Sequence, residues 1–278
     1  MKRYLQVLGL ALLLVSAWAG LACAAELGLG GKIVYQTGNY AFTILETGET
    51  DGTTRYESSV SAPPLRFELG VTSGAWNLNG FLTTKSFGDA ELDPDLLGDA
   101  DKDCGGVTAF GGDLAYRFDV GSFKLAPSIG YRSMQTTIGQ KDSSAGVVHA
   151  WGRGLRTRGV RLGAEASATL SDRFSFSASL GCSPRLAVAE IFEIATDAAD
   201  EGVHYRHYVA FDVSKPDKAY SFDLAISAAA RVIPAVEIVG GYRYEGISVE
   251  LDPSASEFDA SSYAVNASVF HIGAECRF

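Results

Sequence analysis

The stretch SYAVNASVFHIGAECRF, residues 262–278, decides the fold of this chain. In its second half, apolar residues alternate with polar residues or glycine: Phe270, Ile272, Ala274, Cys276 and Phe278 against His271, Gly273, Glu275 and Arg277. A period of two with one apolar face is typical of a β-strand. The stretch therefore predicts a C-terminal strand that has one apolar face and ends on an aromatic residue.

The same alternation recurs along the chain and predicts ten strands. They are expected at residues 26–37, 63–72, 76–87, 106–120, 123–139, 158–171, 173–194, 218–233, 235–252 and 262–278. One face is apolar, as at Leu65 and Leu69, whereas the other carries charges such as Arg66, Arg132 and Arg161. A soluble β-sandwich would turn such charges to water, whereas a barrel in lipid lines its interior with polar groups. The pattern therefore predicts an all-β fold, a transmembrane antiparallel outer-membrane β-barrel of about ten strands.

The connections between these strands alternate in length. Tight links are expected at Ser73-Gly74, Gly121-Ser122, Ser171-Asp172 and Pro234. Long polar loops are expected at residues 38–62, 88–105, 140–157, 195–217 and 253–261. Short turns on one side and long loops on the other favour an outer-membrane barrel with both termini in the periplasm. A barrel of this size fills its interior with side chains, so no wide channel is expected.

Residues 1–24 have the layout of a secretory signal peptide, with two basic residues, an apolar run and small residues at the end. A retained anchor and lipidation at Cys23 are the alternatives, and Gly20 disfavours the second because a large aliphatic residue is usual there. We therefore assign residues 25–278 to the barrel domain with its long outer loops. The chain has 23 basic and 33 acidic residues, which argues against nucleic acid as a partner and allows basic substrates. The scattered cysteines predict neither a disulfide framework nor a metal site.

An acidic stretch, AELDPDLLGDADKDC at residues 90–104, follows the third predicted strand and holds six carboxylates. Three interpretations compete: a solvated loop, a calcium loop and a pair of catalytic carboxylates. The acids from Asp99 to Asp103 imitate the first half of a calcium loop, but Cys104 replaces the expected glycine. Asp93 and Asp95 lie two residues apart, so in a continuing strand both would lie on one face. Two close carboxylates repel each other, and such a pair can hold and polarise a water molecule.

A second segment, DEGVHYRHY at residues 200–208, enters the eighth predicted strand and carries His204 and His207. Histidine is the natural base near neutral pH. A histidine that faces Asp93 and Asp95 across the barrel mouth would activate a water for peptide hydrolysis. We assign that position to His204 and interpret His207 as a strand residue that lines the barrel or its mouth.

In its ten strands, five long loops and terminal aromatic residue the chain resembles the omptins, outer-membrane proteases of Gram-negative bacteria. The resemblance covers essentially the whole chain after the signal peptide. Omptins carry Asp-x-Asp and two bulky apolar residues after the threonines of the third strand, and residues 83–84 and 93–97 are similar to this pattern. Omptins also carry Asp-x-Asp-x-His-Tyr in the fourth loop. Residues 200–205 keep the first Asp, the His and the Tyr of that motif.

The resemblance implies an endopeptidase at the cell surface that hydrolyses peptide bonds near basic residues, without a metal ion or cofactor. It implies that Asp93 and Asp95 hold the water and that His204 is the base. It further implies that Asp200 attracts a basic side chain of the peptide or protein substrate. Outer-membrane lipid, lipopolysaccharide among it, is the expected partner of the outer wall.

The chain also departs from the family pattern. Gly202 stands where the second Asp of the fourth-loop motif, the partner of the histidine, is expected. Gln135 stands where one of the arginines that bind lipopolysaccharide phosphates is expected. The basic segment 152–158 would either bind such phosphates or balance charge in a solvated loop. The alternative function is therefore a catalytically inactive omptin-like barrel that acts as a surface adhesin or a structural outer-membrane protein.

Overall fold

The chain folds as a β-barrel in a computed structural model that describes residues 27–47, 53–63, 65–85, 104–144, 147–198, 204–211, 218–250 and 260–277. The predicted signal peptide, residues 1–24, lies outside the described residues. The strands are β1 Gly28–Thr47, β2 Thr53–Ser61, β3 Leu65–Ser73, β4 Trp76–Lys85, β5 Cys104–Tyr116, β6 Phe118–Val120, β7 Phe123–Ser144, β8 Val147–Thr169, β9 Phe174–Ser183, β10 Leu186–Ala198, β11 His204–Phe211, β12 Lys218–Ile233, β13 Val236–Glu250 and β14 Ala260–Arg277. Among these residues, no helix has the length and apolar character needed to cross a membrane.

Ten of the strands form a closed wall. Its neighbours, in order, are β1, β3, β4, β5, β7, β8, β9, β12, β13 and β14, and β14 pairs again with β1. All of these pairings are antiparallel. The other four strands extend the wall, because β2 pairs with β1, β6 with β7, β10 with β8 and β11 with β10. The predicted ten-stranded antiparallel barrel is therefore confirmed.

Tight turns join the strands at one end of the barrel, which we call the turn end. Gly74 and Gly121 adopt φ angles of 57° and 63°, a left-handed conformation that glycine accepts without steric cost. The Ser171 hydroxyl accepts hydrogen bonds from the backbone N–H groups two and three residues later, at 3.3 and 3.2 Å. Pro234 lies in the turn from β12 to β13. The four predicted tight links are confirmed, and β1 begins and β14 ends at this same end.

At the opposite end, which we call the loop end, the strands run further than the sequence pattern predicts. The prediction of loops over residues 38–62 and 140–157 is wrong, and so is the prediction over 195–217 for its described residues, which belong to β10 and β11. Instead β1 and β2 pair along Asn39–Thr47, and β7 and β8 stay paired up to Ser144 and Val147. Polar residues in these segments still complete the backbone hydrogen bonds of a ladder, so high polarity alone does not end a strand. The expected loops at 88–105 and 253–261 lie mostly outside the described residues.

The outer wall nearer the turn end is covered by apolar side chains, which we call the apolar band. Its exposed members include Ile33, Tyr35, Leu65, Leu69, Leu78, Leu82, Phe110, Leu114, Ile129, Tyr131, Val160, Leu162, Leu180, Leu224, Ile226, Phe270 and Ile272. Water would not tolerate so large a continuous apolar surface, whereas hydrocarbon does. The interior at this level holds Arg66 and Arg132, both buried, as the sequence predicts.

The two faces of the wall exchange character along the same strands. In β8, Val160 and Leu162 are exposed on the band and Arg161 lies inside, whereas nearer the loop end Leu155 is buried inside with 3% exposure. The inward apolar residues of the loop-end half form one cluster, the apolar seal: Tyr40, Phe42, Ala62, Val107, Ala109, Met134, Leu155, Leu186, Val188, Ala219, Ile247, Val249, Tyr263, Val265, Ala267 and Val269. The turn-end half therefore has the pattern of a membrane barrel, and the loop-end half has that of a water-soluble one.

Candidate functional site

Charged side chains meet inside the barrel at the level of the apolar band. We call this set the ionic layer: Lys32, Arg66, Glu68, Asp113, Arg132, Arg161, Asp223, Arg243 and Glu245. Arg161 donates from Nε and Nη2 to the two carboxylate oxygens of Asp223, at 2.9 and 2.7 Å. It also donates from Nη1 to Asp113 at 3.1 Å. A guanidinium bound in this two-pronged way holds β5, β8 and β12 together from within.

A second part of the layer is centred on Glu68. Its carboxylate accepts a hydrogen bond from Arg66 Nε at 2.6 Å, and Lys32 Nζ lies 3.2 Å away. Arg243 Nη2 donates to the same carboxylate at 3.4 Å. Three cations from different strands therefore share one carboxylate in the interior.

Arg132 spans the bore between the two parts of the layer. It forms an ion pair with Glu245 of β13, which lies far from β7 in the ring, and lies 3.8 Å from Asp223. The ring of Phe81 contacts two guanidinium groups, with its centroid 3.8 Å from Arg66 Cζ and 5.5 Å from Arg132 Cζ. Such cation–π contacts are favourable where water is displaced. Side chains therefore meet across the barrel at this level.

Side chains fill the interior of the barrel below the loop end. The ionic layer occupies the bore at the height of the band, and the apolar seal packs above it. A narrow ten-stranded wall is expected to be filled in this way. Contact with a large molecule from outside is therefore expected where the strands project beyond the seal.

The acidic stretch is attached at this loop end. Strand β4 ends at Lys85 and β5 begins at Cys104, so the intervening residues leave and rejoin the wall there. At its base the hydroxyls of Thr84 and Thr108 lie 3.0 Å apart, and Lys85 Nζ donates to Ser61 Oγ at 2.7 Å. Asp93 and Asp95 themselves lie outside the described residues, and their role stays a prediction.

The fourth-loop candidates are described only in part. Asp200 lies outside the described residues. His204 is the first residue of β11, where its backbone position pairs with Ala198 of β10. The side chain of His204 is not described, so its role as base also stays a prediction.

The strand register aligns residues that the sequence pattern does not connect. One row of the ladder crosses four strands as Asp142, His149, Asp197 and Tyr205. Two positions further along each strand, another row contains Gln140, Trp151, Ala195 and His207. A signal for the first row exists in the sequence. If Ala145-Gly146 is taken as a hairpin turn, Asp142 and His149 must pair, but an expected long loop over 140–157 hides this.

The basic segment 152–158 lies in β8 and not in a loop, contrary to the prediction. Arg156 donates from Nε and Nη2 to Gln135 Oε1 of β7, at 3.1 and 2.7 Å. Arg158 is exposed, and by strand alternation both arginines belong to the outer face, directly beyond the exposed Val160 of the band. The arginines therefore mark the level at which the outer wall changes from apolar to polar.

Within the described ranges, no group of three or more His, Cys, Asp or Glu residues has the geometry of a metal site. The two cysteines whose side chains are described, Cys182 and Cys276, are free thiols. His271 lies inside the band, where its Nε2 is 3.3 Å from the Ser227 hydroxyl. The histidines of the loop end are therefore separate from this interior one.

Comparison with solved structures identifies the fold. The chain is similar to the outer membrane protease OmpT from Escherichia coli, with 11% sequence identity, a TM-score of 0.55, and coverage of 91% of this chain and 96% of that chain. It also aligns with a major outer membrane protein from Thermus thermophilus, with 14% identity, a TM-score of 0.44, and coverage of 90% and 99%. No family model matches the chain, and no curated protein matches it in sequence. The likeness to OmpT shows a shared outer-membrane barrel fold, and a fold alone does not carry an activity.

Proposed function

We propose that this protein is an endopeptidase of the outer membrane, with its loop end at the cell surface and its turn end and termini in the periplasm. It hydrolyses peptide bonds near basic residues of peptides or proteins. One observation carries the proposal: the bore is filled by the ionic layer and the apolar seal, while the wall continues beyond the seal toward the loop end. A transport function has no support from such an interior, whereas a surface site does.

The residues suited to hydrolysis concentrate at that end. Three of the four histidines of the chain, His149, His204 and His207, lie on loop-end strands, and the acidic stretch 90–104 joins the wall there. The overall charge is negative, which favours basic substrates. Similarity in fold to an outer membrane protease agrees with this proposal.

In the proposed reaction, Asp93 and Asp95 hold a water molecule and a loop-end histidine, His204 in the sequence prediction, takes one of its protons. The water oxygen attacks the carbonyl carbon, and the C–N bond breaks as the leaving amine takes up the proton. Asp200 positions the substrate through a basic side chain. The nucleophile is the water molecule and not a side chain of the protein, so no acyl-enzyme forms.

The outer wall is proposed to bind lipid, with lipopolysaccharide as the partner. Arg156 and Arg158 lie where the apolar band ends, the level at which lipid phosphates are expected. The planar guanidinium group suits phosphate oxygens, and the hydrogen bonds from Arg156 to Gln135 hold one of the two groups in place. A shallow groove on the band, between Tyr35, Phe176 and Phe270 with Gly240 at its floor, offers space for an acyl chain below this level.

The test is cleavage of a quenched peptide library with paired basic residues by the refolded barrel, with and without lipopolysaccharide. We expect Asp93→Asn/His204→Ala to lose cleavage. Asp99→Asn, in the same acidic stretch, is the matched control and should retain it. Cleavage equal in wild type and double variant would reject this assignment of residues.

The alternative is a catalytically inactive barrel that acts as an adhesin or a structural component. Gly202, at a position where the resemblance implies a carboxylate, favours it. A folded wild-type barrel that cleaves no peptide of the library, with or without lipopolysaccharide, would support this alternative.

A further inference from the structure

We propose that the bore between the ionic layer and the turn end is an open vestibule that binds a small zwitterion, an amino acid or a short peptide with free termini. The ligand lies between Arg117 and Glu165. The ionic layer and the apolar seal separate this vestibule from the loop end, so the site is distinct from that of the proposed endopeptidase. The vestibule opens at the turn end, which faces the periplasm in the proposed orientation.

The first support is the small size of the side chains that face this part of the bore. One row of the ladder crosses four neighbouring strands as Ser167, Ser177, Ser227 and Gly241. Ser167 is in the same alternating set of positions as Arg161, and Ser227 in that of Asp223, so the row belongs to the inner face. The rows on either side add Ser179 with Ala225 and Ser175 with Ala229.

Side chains of this size do not fill the barrel. A ring of ten strands at roughly 4.8 Å spacing has a circumference of about 48 Å, and therefore a diameter of about 15 Å or more. In the loop-end half, large side chains such as Met134, Leu155 and Tyr263 fill this width and form the seal. Serine and glycine do not reach across it, so the turn-end half of the bore has room for a ligand.

The second support is Glu165, which belongs to the inward set of β8 and is nevertheless exposed. Charged groups from several strands interact with it electrostatically across the bore: most strongly Arg117, then Lys32, Glu275 and Glu68. A carboxylate that is surrounded by the charges of other strands and still exposed lies beside an internal open space. Glu165 therefore lines the vestibule.

The third support is that Arg117 and Glu165 face the same space without forming an ion pair. Arg117 lies between Tyr116 and Phe118, which are both exposed on the outer wall, so its side chain is on the inner face. Its backbone N–H donates to the Ala75 carbonyl oxygen at 2.7 Å, which fixes its position in the wall. In the described part of the chain, neither the Arg117 nor the Glu165 side chain has a hydrogen bond or an ion pair.

The register places the two charges on either side of Ala126. Glu165 is the direct partner of Ala126 in β8. On the other side, the register that pairs β5 and then β6 with β7 brings Arg117 opposite the same alanine. The two backbone positions are therefore about 10 Å apart, at roughly 4.8 Å per strand. A ligand that bridges them needs one group of each charge.

A zwitterion supplies these two groups. Its ammonium donates hydrogen bonds to the Glu165 carboxylate, and its carboxylate accepts two parallel hydrogen bonds from the Arg117 guanidinium. Ser179 is the direct partner of Glu165 in β9, and Asn77 pairs with Ala115, two residues before Arg117. The side chains of Ser179 and Asn77 have no hydrogen bond to another described residue, so they are free to bind a peptide group. A ligand with a single charge would leave one of the two protein charges without a partner.

The first experiment measures binding of the dipeptide Ala-Ala to the refolded barrel by equilibrium dialysis. We expect saturable binding, which Glu165→Gln and Arg117→Gln each weaken about tenfold or more because each removes a charge-assisted hydrogen bond. Glu250→Gln and Arg158→Gln remove the same charges from exposed positions nearer the loop end. These two matched controls should bind within about twofold of wild type.

The second experiment identifies which end of the ligand each residue binds. N-acetyl-Ala-Ala lacks the ammonium and Ala-Ala-amide lacks the carboxylate, so both should bind about tenfold or more weakly than Ala-Ala. Glu165→Gln should not weaken binding of N-acetyl-Ala-Ala further, because the group that it contacts is already missing. A further loss there would overturn the assignment of Glu165 to the ammonium. Tighter binding of alanine than of Ala-Ala would retain the site and assign it to free amino acids.

The third experiment fills the vestibule. Ser177→Phe places a ring in the bore, whereas Ala178→Phe, the next residue of β9, places the same ring on the outer wall. We expect the first variant to lose Ala-Ala binding and the second to retain it, with heat-modifiable gel mobility as the check that each is folded. Full binding by folded Ser177→Phe, or no saturable binding by folded wild type, would reject the site. Asp93→Asn/His204→Ala should bind Ala-Ala as wild type does, so this proposal and the proposed endopeptidase are tested separately.

Discussion

The turn-end and loop-end halves of this barrel are built from the same strands, but their apolar residues lie on opposite faces of the wall. Near the turn end the apolar residues face out and the charges face in, whereas near the loop end Leu155 and its neighbours in the seal face in. Strands β7 and β8 pair continuously through both halves. The difference shows that the surroundings of the wall, and not the ladder, decide which face of a strand is apolar.

The two halves also use different forces to hold the interior. In the turn-end half, ion pairs such as Arg132 with Glu245 satisfy charges that have no access to lipid or open water. In the loop-end half, the hydrophobic effect stabilises the interior through burial of Met134, Val249 and the other apolar side chains of the seal. Replacements in the ionic layer and in the apolar seal should therefore change the unfolding free energy by different amounts.

The largest effect is expected from Arg132→Met. The change leaves Glu245, which is 2% exposed, as a buried carboxylate without its nearest cation. Removing one partner of a buried ion pair costs about 3–5 kcal/mol, which denaturant unfolding of the refolded barrel would measure. The double variant Arg132→Met/Glu245→Met should recover most of that loss. Equal stability of the single and double variants would show that the layer does not depend on charge pairing.

The strand count, the four tight turns and the facing of the apolar band are all predictable from the sequence, because a period of two survives in every wall strand. The strands of the loop-end half are not predictable in this way, because one face of each is polar and such a composition is typical of loops. Ion-pair partners such as Arg161 and Asp223 are also unpredictable, because they lie far apart in sequence and meet only when the barrel closes. For the candidate site, the register of Asp142 and His149 could be predicted only by recognising that β7 continues to Ser144 and β8 begins at Val147.

A pair of leucines in β8 tests the exchange of faces directly. Leu155→Ala leaves a cavity in the apolar seal, where Leu155 is 3% exposed, and should cost about 2–5 kcal/mol of unfolding free energy. Leu162→Ala removes the same atoms from the outer band, where Leu162 is 47% exposed, and lipid chains can fill the space. We therefore expect a clearly smaller loss for Leu162→Ala. A reversed order would mean that the seal is not a packed core.

Lysine substitutions along one outer face of the wall test where the boundary between the two halves lies. Leu114→Lys places a charge in the apolar band and should cost about 2–4 kcal/mol for a barrel refolded in lipid. Thr108→Lys, on the same strand and face but nearer the loop end, should cost about 1 kcal/mol or less. Folding yields and urea midpoints in vesicles would measure both. Equal penalties at the two positions would place the lipid boundary nearer the loop end than the exchange of faces indicates.

The smallest effect is expected at the ion pair of Lys218 and Glu250, which joins the same kinds of charged groups as the ionic layer. The Nζ and Oε2 atoms lie 2.9 Å apart, but the two side chains are 70% and 47% exposed at the loop end. Water screens such a pair, so Glu250→Gln should change the unfolding free energy by less than about 1 kcal/mol, and the change should shrink as salt is added. Glu245→Gln in the bore should show a larger loss with little salt dependence, because Glu245 is 2% exposed. Similar salt responses at the two positions would mean that water reaches the ionic layer, and the filled bore on which the surface function rests would then be in doubt.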